Sequence, residues 1–248
     1  MRKVLLLIVI MTILSSVLLA QSIDEPYDFP LQPGMPEWVD LKTHTDRLNA
    51  LQIPEDILKR MTTKSLLETC LNYPMFGDVI AYNTIKTGIR EVINNFNGFT
   101  ELLKRKDVYI LLSERFFSFD PSAINEEWPL IKKGGYPFEL IKIELLLGQD
   151  IILESANYEN KISLLKEALL KHKKMVTLKK YYSDYNHEQI LFLMGNILLK
   201  SGKPNISSLV INNKEVSNFL ATGRLPNHDV VNEILSIVNQ TVNYKGEN

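Results

Sequence analysis

The chain has 248 residues, of which 45% are hydrophobic and 23% are charged, a composition typical of a soluble globular protein. Its 28 basic and 29 acidic residues nearly cancel, which argues against a nucleic-acid-binding protein, because such a protein needs a concentrated positive surface. The single cysteine, Cys70, excludes an intramolecular disulfide, and its place beside Leu66 and Leu67 predicts a buried core residue.

The first residues have the layout of a secretory signal. Arg2 and Lys3 precede an apolar run that ends at Leu14, the small polar pair Ser15-Ser16 follows it, and the small residue Ala20 stands at a plausible cleavage point. We therefore predict a signal peptide over residues 1–20 and a mature protein in the periplasm or outside the cell. The apolar run is short for a membrane-spanning helix, so we expect membrane contact only through this segment before cleavage.

Prolines and glycines divide the rest of the chain. Residues 21–36 are rich in proline and predict an N-terminal linker, which Tyr27, Phe29 and Leu31 could strap onto the following domain. Residues 37–248 are predicted to form a single all-helical domain, because helix caps and helical apolar spacing recur throughout this part of the chain.

Capping residues, prolines and apolar spacing predict a succession of short helices joined by brief turns. Before the middle of the chain they cover approximately Pro36–Gln52, Pro54–Arg60, Thr63–Leu71, Met75–Tyr82, Thr87–Phe96, Gly98–Lys106 and Asp107–Phe117. The later helices cover approximately Pro121–Lys133, Pro137–Leu153, residues 160–173, residues 186–198 and a segment after Asn227.

Two of the later helices carry distinctive signals. Gly134 and Gly135 are predicted to end the helix that begins at Pro121, and Asn186 is predicted to cap a helix in which Gln189 completes the capping box. The helix from Pro137 is apolar nearly all round, which predicts a position at the centre of the fold.

The stretch Asn94–Gly98 predicts a helix end that runs into a turn, in which asparagine and glycine accept left-handed conformations while Phe96 and Phe99 pack inward. Leu209–Ile211 looks strand-like, but three residues do not make a sheet. The predicted fold class is therefore all-α, either an irregular α-solenoid-like superhelix, which the series of short helix pairs slightly favours, or a compact α-bundle.

The sequence carries no signature of a catalytic, metal or cofactor site. It has no Gly-rich phosphate loop, no Gly-x-Ser-x-Gly elbow, no His-Glu-x-x-His and no cysteine pair. We therefore predict no catalytic residue, no metal ligand and no cofactor. The alternative of a hydrolase or lyase acting on an envelope or extracellular polymer would use His44, Asp46 and Glu68, brought together from distant segments.

The best candidates for binding are Tyr181, Tyr182 and Tyr185. Tyrosines clustered on a loop suit contacts with a protein or a glycan if they are exposed together, although tyrosines also fill cores. The basic run Lys171–Lys180 that leads to them is interpreted as a helix end followed by a solvated turn. We thus expect a non-catalytic helical binding or scaffold module that contacts a protein or a glycan.

A series of short phrases over residues 33–117 has a distinctive order. It runs through Pro33–Trp38, Lys42–His44, Ile53–Glu55, Met61–Thr63, Leu67–Pro74, Asn94–Gly98 and Leu102–Arg105. In this order the phrases resemble a family of proteins exported by Bacteroidetes and related anaerobic bacteria. The resemblance implies an envelope or extracellular setting and implies no catalytic residue.

Overall fold

The structure, a computed structural model, describes residues 22–224 and 227–243. Within this part of the chain it contains thirteen α-helices, three 3₁₀ helices and no β-strand, so the all-α prediction is confirmed. In chain order the α-helices are α1 (His44–Ala50), α2 (Glu55–Arg60), α3 (Thr63–Leu71), α4 (Ile85–Asn94), α5 (Asn97–Leu102), α6 (Val108–Ser118), α7 (Leu130–Leu147), α8 (Asp150–Ser155), α9 (Tyr158–Thr177), α10 (Asp184–Leu199), α11 (Pro204–Asn212), α12 (Lys214–Thr222) and α13 (His228–Asn243). The 3₁₀ helices are Pro36–Asp40, Phe76–Ala81 and Pro121–Ala123. The predicted signal peptide, residues 1–20, lies outside the described residues.

Helix α10 lies at the centre of the molecule. It packs against α7, α9, α11, α12 and α13, and its residues Ile190–Leu198 are all buried. Helix α12 also returns to contact α4 in the first half of the chain. Because each unit of a solenoid contacts only its neighbours, these returns identify the compact α-bundle as the architecture, rather than the solenoid-like superhelix. The strand-like stretch Leu209–Ile211 is helical and lies in α11.

The core is one cluster of buried apolar side chains that extends from Phe29 to Val238. Its N-terminal part is aromatic, with the Tyr73 and Phe96 rings stacked at a centroid distance of 4.2 Å and Phe29 at 5.9 Å from Phe96. Burying each such side chain stabilises the fold by roughly 1.5–3 kcal/mol. Cys70 lies in this cluster as a fully buried residue, as its position in the sequence predicts.

The segment predicted as a linker lies against the domain. The Ile23 N–H donates to the Arg60 carbonyl at 2.9 Å, and the Ile23 carbonyl accepts from the Thr62 N–H at 3.0 Å. The Tyr27 N–H donates to Thr69 Oγ1 at 2.8 Å. Together with the buried Phe29, these bonds hold residues 22–35 on the surface of α2 and α3.

Helix α7 departs most from the sequence-based expectation. Gly134 and Gly135 do not end a helix, because α7 runs through both of them and past Pro137. The stretch from Pro121 forms only one turn of 3₁₀ helix. Residues Leu140–Leu147 are all buried, and the packing of the apolar side chains among them fixes α7 despite the local helix breakers.

Side-chain caps account for two further differences. Thr43 caps α1, and Asp46 completes the capping box, so the predicted helix over Pro36–Gln52 is divided into a 3₁₀ helix and α1. Ser183 caps α10, and Asn186 is the third helical residue, whose Oδ1 accepts from the Ser183 N–H at 3.0 Å. The capping box predicted at Asn186 therefore lies one turn earlier.

The connection between α4 and α5 has the predicted position. Helix α4 ends at Asn94, α5 begins at Asn97, and Phe96 and Phe99 are fully buried. No residue of this connection has a positive φ, so the expected left-handed turn is absent. Instead, Asn97 Oδ1 accepts from the Ile53 N–H at 3.0 Å and its Nδ2 donates to the Ile53 carbonyl at 2.7 Å.

Candidate functional site

The three polar residues of the hydrolase or lyase alternative are not brought together. His44 Nε2 lies 2.7 Å from Asp78 Oδ2, and both side chains reach solvent. Asp46 accepts a hydrogen bond from the backbone N–H of the residue that caps α1, which lowers the pKa of its carboxyl. Glu68 Oε1 lies 3.6 Å from Arg115 Nε. Each predicted residue has its own partner, and the carboxylate beside His44 is one that the sequence analysis did not select.

The three tyrosines do not form an exposed patch. Tyr182 is 2% exposed, and its hydroxyl donates to the Pro121 carbonyl at 2.9 Å. The hydroxyl of the half-buried Tyr185 has no hydrogen-bond partner in the described part of the chain, and burial raises the pKa of Tyr185 to about 12. Tyr181 is half-buried, with Lys180 Nζ 5.5 Å from its ring centroid. The expectation that Tyr181, Tyr182 and Tyr185 are exposed together is therefore corrected, because Tyr182 is buried against the third 3₁₀ helix.

A buried acid in α7 is a polar feature that the sequence analysis missed. Glu144 is 2% exposed, and neither of its carboxylate oxygens has a hydrogen-bond partner among residues 22–224 and 227–243. Burial raises the pKa of Glu144 well above its usual range, and the charge of Lys171 on α9 lowers it by a smaller amount. The sequence could have predicted this buried acid, because Glu144 lies in a helix whose other residues are apolar nearly all round.

Lys171 is as buried as Glu144, but its ammonium group has partners. Its Nζ lies 2.9 Å from Glu167 Oε1, donates to the Phe119 carbonyl, and lies 5.0 Å from the ring centroid of Phe116. Lys171 lies on the core side of α9, in the helical part of the basic run, and α9 ends at Thr177 before the turn. We assign Glu144 and Lys171 to the interior of the bundle, where α7 packs against α6 and α10.

Two histidines that are far apart in the sequence meet between α9 and α10. The ring centroids of His172 and His187 are 5.3 Å apart, and the rings cross at 82°. Burial lowers the pKa of His172 to about 4, with smaller contributions from His187 and Lys173. Burial also lowers the pKa of His187, which Asp184 raises and Lys179 lowers to a smaller extent. Both rings are therefore neutral at pH 7, and protonating them destabilises the folded state.

Acidification is expected to destabilise the protein through His172. The folded state holds its pKa at about 4, below the ordinary value of 6.5, so the free energy of unfolding should fall by roughly 2–3 kcal/mol as the pH drops from 7 to about 4.5. His172→Phe keeps an aromatic ring against His187 and removes the titration, so urea denaturation should show a smaller fall. His228→Gln, at an exposed histidine, is the matched control. If the free energy of unfolding fell equally in the wild type, His172→Phe and His228→Gln, His172 would not be the source of the acid destabilisation.

An open cleft lies between the ends of α9, α11 and α13. Its volume is about 560 Å³, within the range of small-ligand sites. We call it the α11 cleft, and it is lined by Tyr158, Lys203, Asn205, Ile206, Leu209, Gln240 and Thr241.

The lining of the α11 cleft combines three kinds of chemistry. Lys203 Nζ lies 4.9 Å from the ring centroid of Tyr158, and no carboxylate of the described residues lies within ion-pair distance of it. Asn205 and Gln240 are exposed amides, each of which can donate and accept hydrogen bonds. Leu209 supplies exposed apolar surface. The cleft can therefore receive a ligand that has hydroxyl groups, an apolar face and a negative charge.

Local sequence places the residues of the cleft at helix starts. Asn157 caps α9, so Tyr158 is its first helical residue. Gly202 has a φ of 74°, which turns the chain after α10, and Pro204 then begins α11 directly after Lys203. The C-terminal part of α13 closes the third side. Because three distant segments form the cleft, no single motif in the sequence could have identified it.

Among residues 22–224 and 227–243, no three His, Cys, Asp or Glu side chains are close enough together to hold a metal ion. In the same residues no helix has the length and hydropathy needed to cross a membrane. Comparison of the chain with protein-family models, with curated proteins and with solved structures finds no match.

Proposed function

We propose that this chain is an exported, non-catalytic binding module that holds a glycan or protein partner in the α11 cleft. The observation that supports it most is the lining of the cleft, where an aromatic ring, two exposed amides and a lysine surround an open concave surface. The export part of the proposal rests on the signal-like residues 1–20 and on the resemblance of residues 33–117 to exported bacterial proteins.

Within this proposal, a glycan fits the lining better than a protein does. Tyr158 can contact the C–H face of a sugar ring, and the amides of Asn205 and Gln240 can bond to hydroxyl groups as donors and acceptors. Lys203 can pair with a carboxylate on the ligand. The best-matched ligand is therefore an acidic glycan, such as an oligosaccharide that contains a uronic acid.

The proposal is tested by screening the protein on a glycan array and measuring the affinity of positive glycans by calorimetry. Tyr158→Ala and Lys203→Gln should each weaken binding by about tenfold, as expected for contacts at the centre of a binding site. Tyr181→Ala and Lys180→Gln are matched controls, because Lys180 lies over the Tyr181 ring elsewhere on the surface. Both controls should bind like the wild type.

Unchanged binding in the Tyr158 and Lys203 variants would remove the α11 cleft from the proposal. A screen that finds no glycan, together with a protein partner whose binding the cleft variants lose, would replace the glycan by a protein. Turnover of a polymer that His44→Ala abolishes would favour the hydrolase or lyase alternative, because His44 has a carboxylate partner in Asp78.

A further inference from the structure

The first turn of α7 carries two large aliphatic side chains into solvent. Leu130 is 81% exposed and Ile131 is 91% exposed. At Gly134 and Gly135 an added Cβ would have no other atom within 4 Å, so the start of α7 stands clear of the bundle. Adjacent exposed aliphatic side chains on a projecting turn mark a contact surface rather than a part of the core.

An aromatic residue and a cation adjoin this aliphatic pair. Lys132 Nζ lies 4.0 Å from the ring centroid of Trp128, and the Trp128 ring lies 5.3 Å from the ring of Tyr136. These contacts, in which the Trp128 and Tyr136 rings meet edge to face, hold Trp128 beside the exposed turn. We call residues 128–133 the α7 tip.

Two lysines without carboxylate partners among the described residues belong to the α7 tip, and two glutamates directly precede it. Neither Lys132 nor Lys133 has a carboxylate within ion-pair distance in the described part of the chain, and Lys133 Nζ donates to the Glu126 carbonyl at 3.0 Å. The N-terminus of α7 has no side-chain cap, so its free N–H groups add partial positive charge. Glu127 is an exposed acid beside the tip. The nearby carboxylates are paired with lysines of the α9–α10 region, Glu126 with Lys180 at 2.6 Å and Asp120 with Lys174 at 3.0 Å.

The α7 tip is joined to the rest of α7 by a weak point. Pro137 supplies no N–H to the Lys133 carbonyl, and Gly134 and Gly135 lower the helix propensity just before it. Beyond Pro137 the helix is buried in the bundle. The exposed tip is therefore joined to the buried part of α7 by residues of low helix propensity.

We propose that the α7 tip docks this protein on an anionic lipid surface. Leu130 and Ile131 enter the boundary of the acyl chains, Trp128 lies at the level of the headgroups, and Lys132 and Lys133 contact lipid phosphates. A projecting aliphatic pair flanked by a tryptophan and two lysines suits a lipid surface better than a protein, since a protein would have to supply both an apolar pocket and acids to pair with the lysines. This contact is separate from the α11 cleft, and it goes beyond the sequence-based expectation that only residues 1–20 contact a membrane.

Sedimentation with lipid vesicles tests the proposal. The protein should begin at Gln21, because the apolar run before it would bind membranes by itself, and the buried apolar residues of the described core all lie between Phe29 and Val238. The vesicles contain phosphatidylcholine alone or a mixture with phosphatidylglycerol. We expect binding to the mixed vesicles, about tenfold weaker binding to phosphatidylcholine alone, and weakening in about 0.5 M salt.

A double variant isolates the aliphatic pair. Leu130→Ser with Ile131→Ser should lower the partition onto mixed vesicles by about tenfold or more, because the pair supplies the buried apolar area. Val39→Ser with Ile80→Ser is the matched control, since both side chains are exposed aliphatics outside the tip. The control should bind like the wild type. Far-UV circular dichroism and cooperative urea unfolding verify that each variant is folded.

Tryptophan fluorescence gives an independent readout. The chain has two tryptophans, so Trp38→Phe leaves Trp128 as its only tryptophan. The emission of Trp128 should shift to shorter wavelength when mixed vesicles are added, as the ring enters the interface.

Absence of vesicle binding by the wild type would overturn the proposal, and so would equal binding by the wild type and the Leu130/Ile131 double variant. Self-association of the wild type that this double variant loses, without any vesicle binding, would assign the tip to a protein contact instead. Glycan binding in the α11 cleft is measured without vesicles, so failure of either proposal leaves the other intact.

Discussion

Replacing Gly88 with alanine is expected to lower the free energy of unfolding by about 3 kcal/mol, whereas the same change at Gly134 should raise it by about 0.5–1 kcal/mol. Both glycines lie inside helices, α4 and α7, where alanine is ordinarily preferred by about 1 kcal/mol. The surroundings of each glycine decide whether alanine lowers or raises the free energy of unfolding. A Cβ at Gly88 would lie 2.0 Å from the backbone carbonyl oxygen of Val79, and a Cβ at Gly134 would have no other atom within 4 Å.

The clash at Gly88 cannot be relieved by turning a side chain, because the obstructing atom belongs to the backbone. Val79 lies in the 3₁₀ helix Phe76–Ala81, which packs closely against α4. Urea denaturation of the two variants and the wild type, followed by circular dichroism, measures both effects. A Gly88→Ala variant as stable as the wild type would contradict this close approach, and a destabilised Gly134→Ala variant would contradict the exposed helical position.

The sequence predicts the class of the fold because the signals that begin and end most helices are local. Thr62 caps α3 through its own side chain, and Asn157 does the same for α9. The helix end at Asn94 and the inward positions of Phe96 and Phe99 likewise follow from a few neighbouring residues. Such features need no knowledge of the distant parts of the chain.

The sequence predicts the buried part of α7 from Pro137 onwards but not the continuous helix from Leu130, because tertiary packing there opposes the local signals. Gly134, Gly135 and Pro137 favour a helix end, but the buried stretch Leu140–Leu147 fixes the helix direction and the preceding residues extend it into solvent. The choice of bundle over solenoid has a similar cause. It depends on which faces of α10 contact other helices. Because α10 is apolar on all sides, its sequence does not show which face packs against which neighbour.

The candidate sites are less predictable than the fold. The α11 cleft, the His172–His187 contact and the proximity of Glu144 to Lys171 each join segments that are distant in sequence. The tyrosines Tyr181 and Tyr182 are adjacent in sequence, yet Tyr182 is buried and Tyr181 is not. Adjacent residues in a connection between helices can face opposite sides, so clustering in sequence is a weak guide to a shared surface.

Replacing Glu144 with methionine is expected to raise the free energy of unfolding by about 1–3 kcal/mol at pH 7. In the wild type the carboxyl group must either lose its hydration as a charge or take up a proton, and methionine fills a similar volume without that cost. Lys171 keeps Glu167 and the Phe119 carbonyl as partners, so removing Glu144 does not leave an unpaired buried cation.

The stability gained by Glu144→Met should increase with pH, because the pKa of Glu144 is raised in the folded state. Well below the ordinary pKa of 4.5, the carboxyl is protonated in both the folded and the unfolded state, so ionisation costs nothing. As the pH rises, the unfolded state ionises first, and the wild type loses stability until the pH exceeds the folded pKa. The stability difference between Glu144→Met and the wild type should therefore grow as the pH rises from about 4 towards neutral and above.

Two further variants separate the causes of this effect. Glu144→Gln removes the titration but keeps a buried polar group, so it should gain stability over the wild type only as the pH rises. Glu114→Met makes the same change as Glu144→Met at an exposed helical position and should alter stability by less than about 0.5 kcal/mol. Urea denaturation across this pH range measures all three variants. If Glu144→Met is instead less stable than the wild type at neutral pH, Glu144 makes an interaction in the folded state that stabilises the protein by more than burial of its carboxyl group destabilises it. The interior between α7 and α9 would then be a candidate site rather than core.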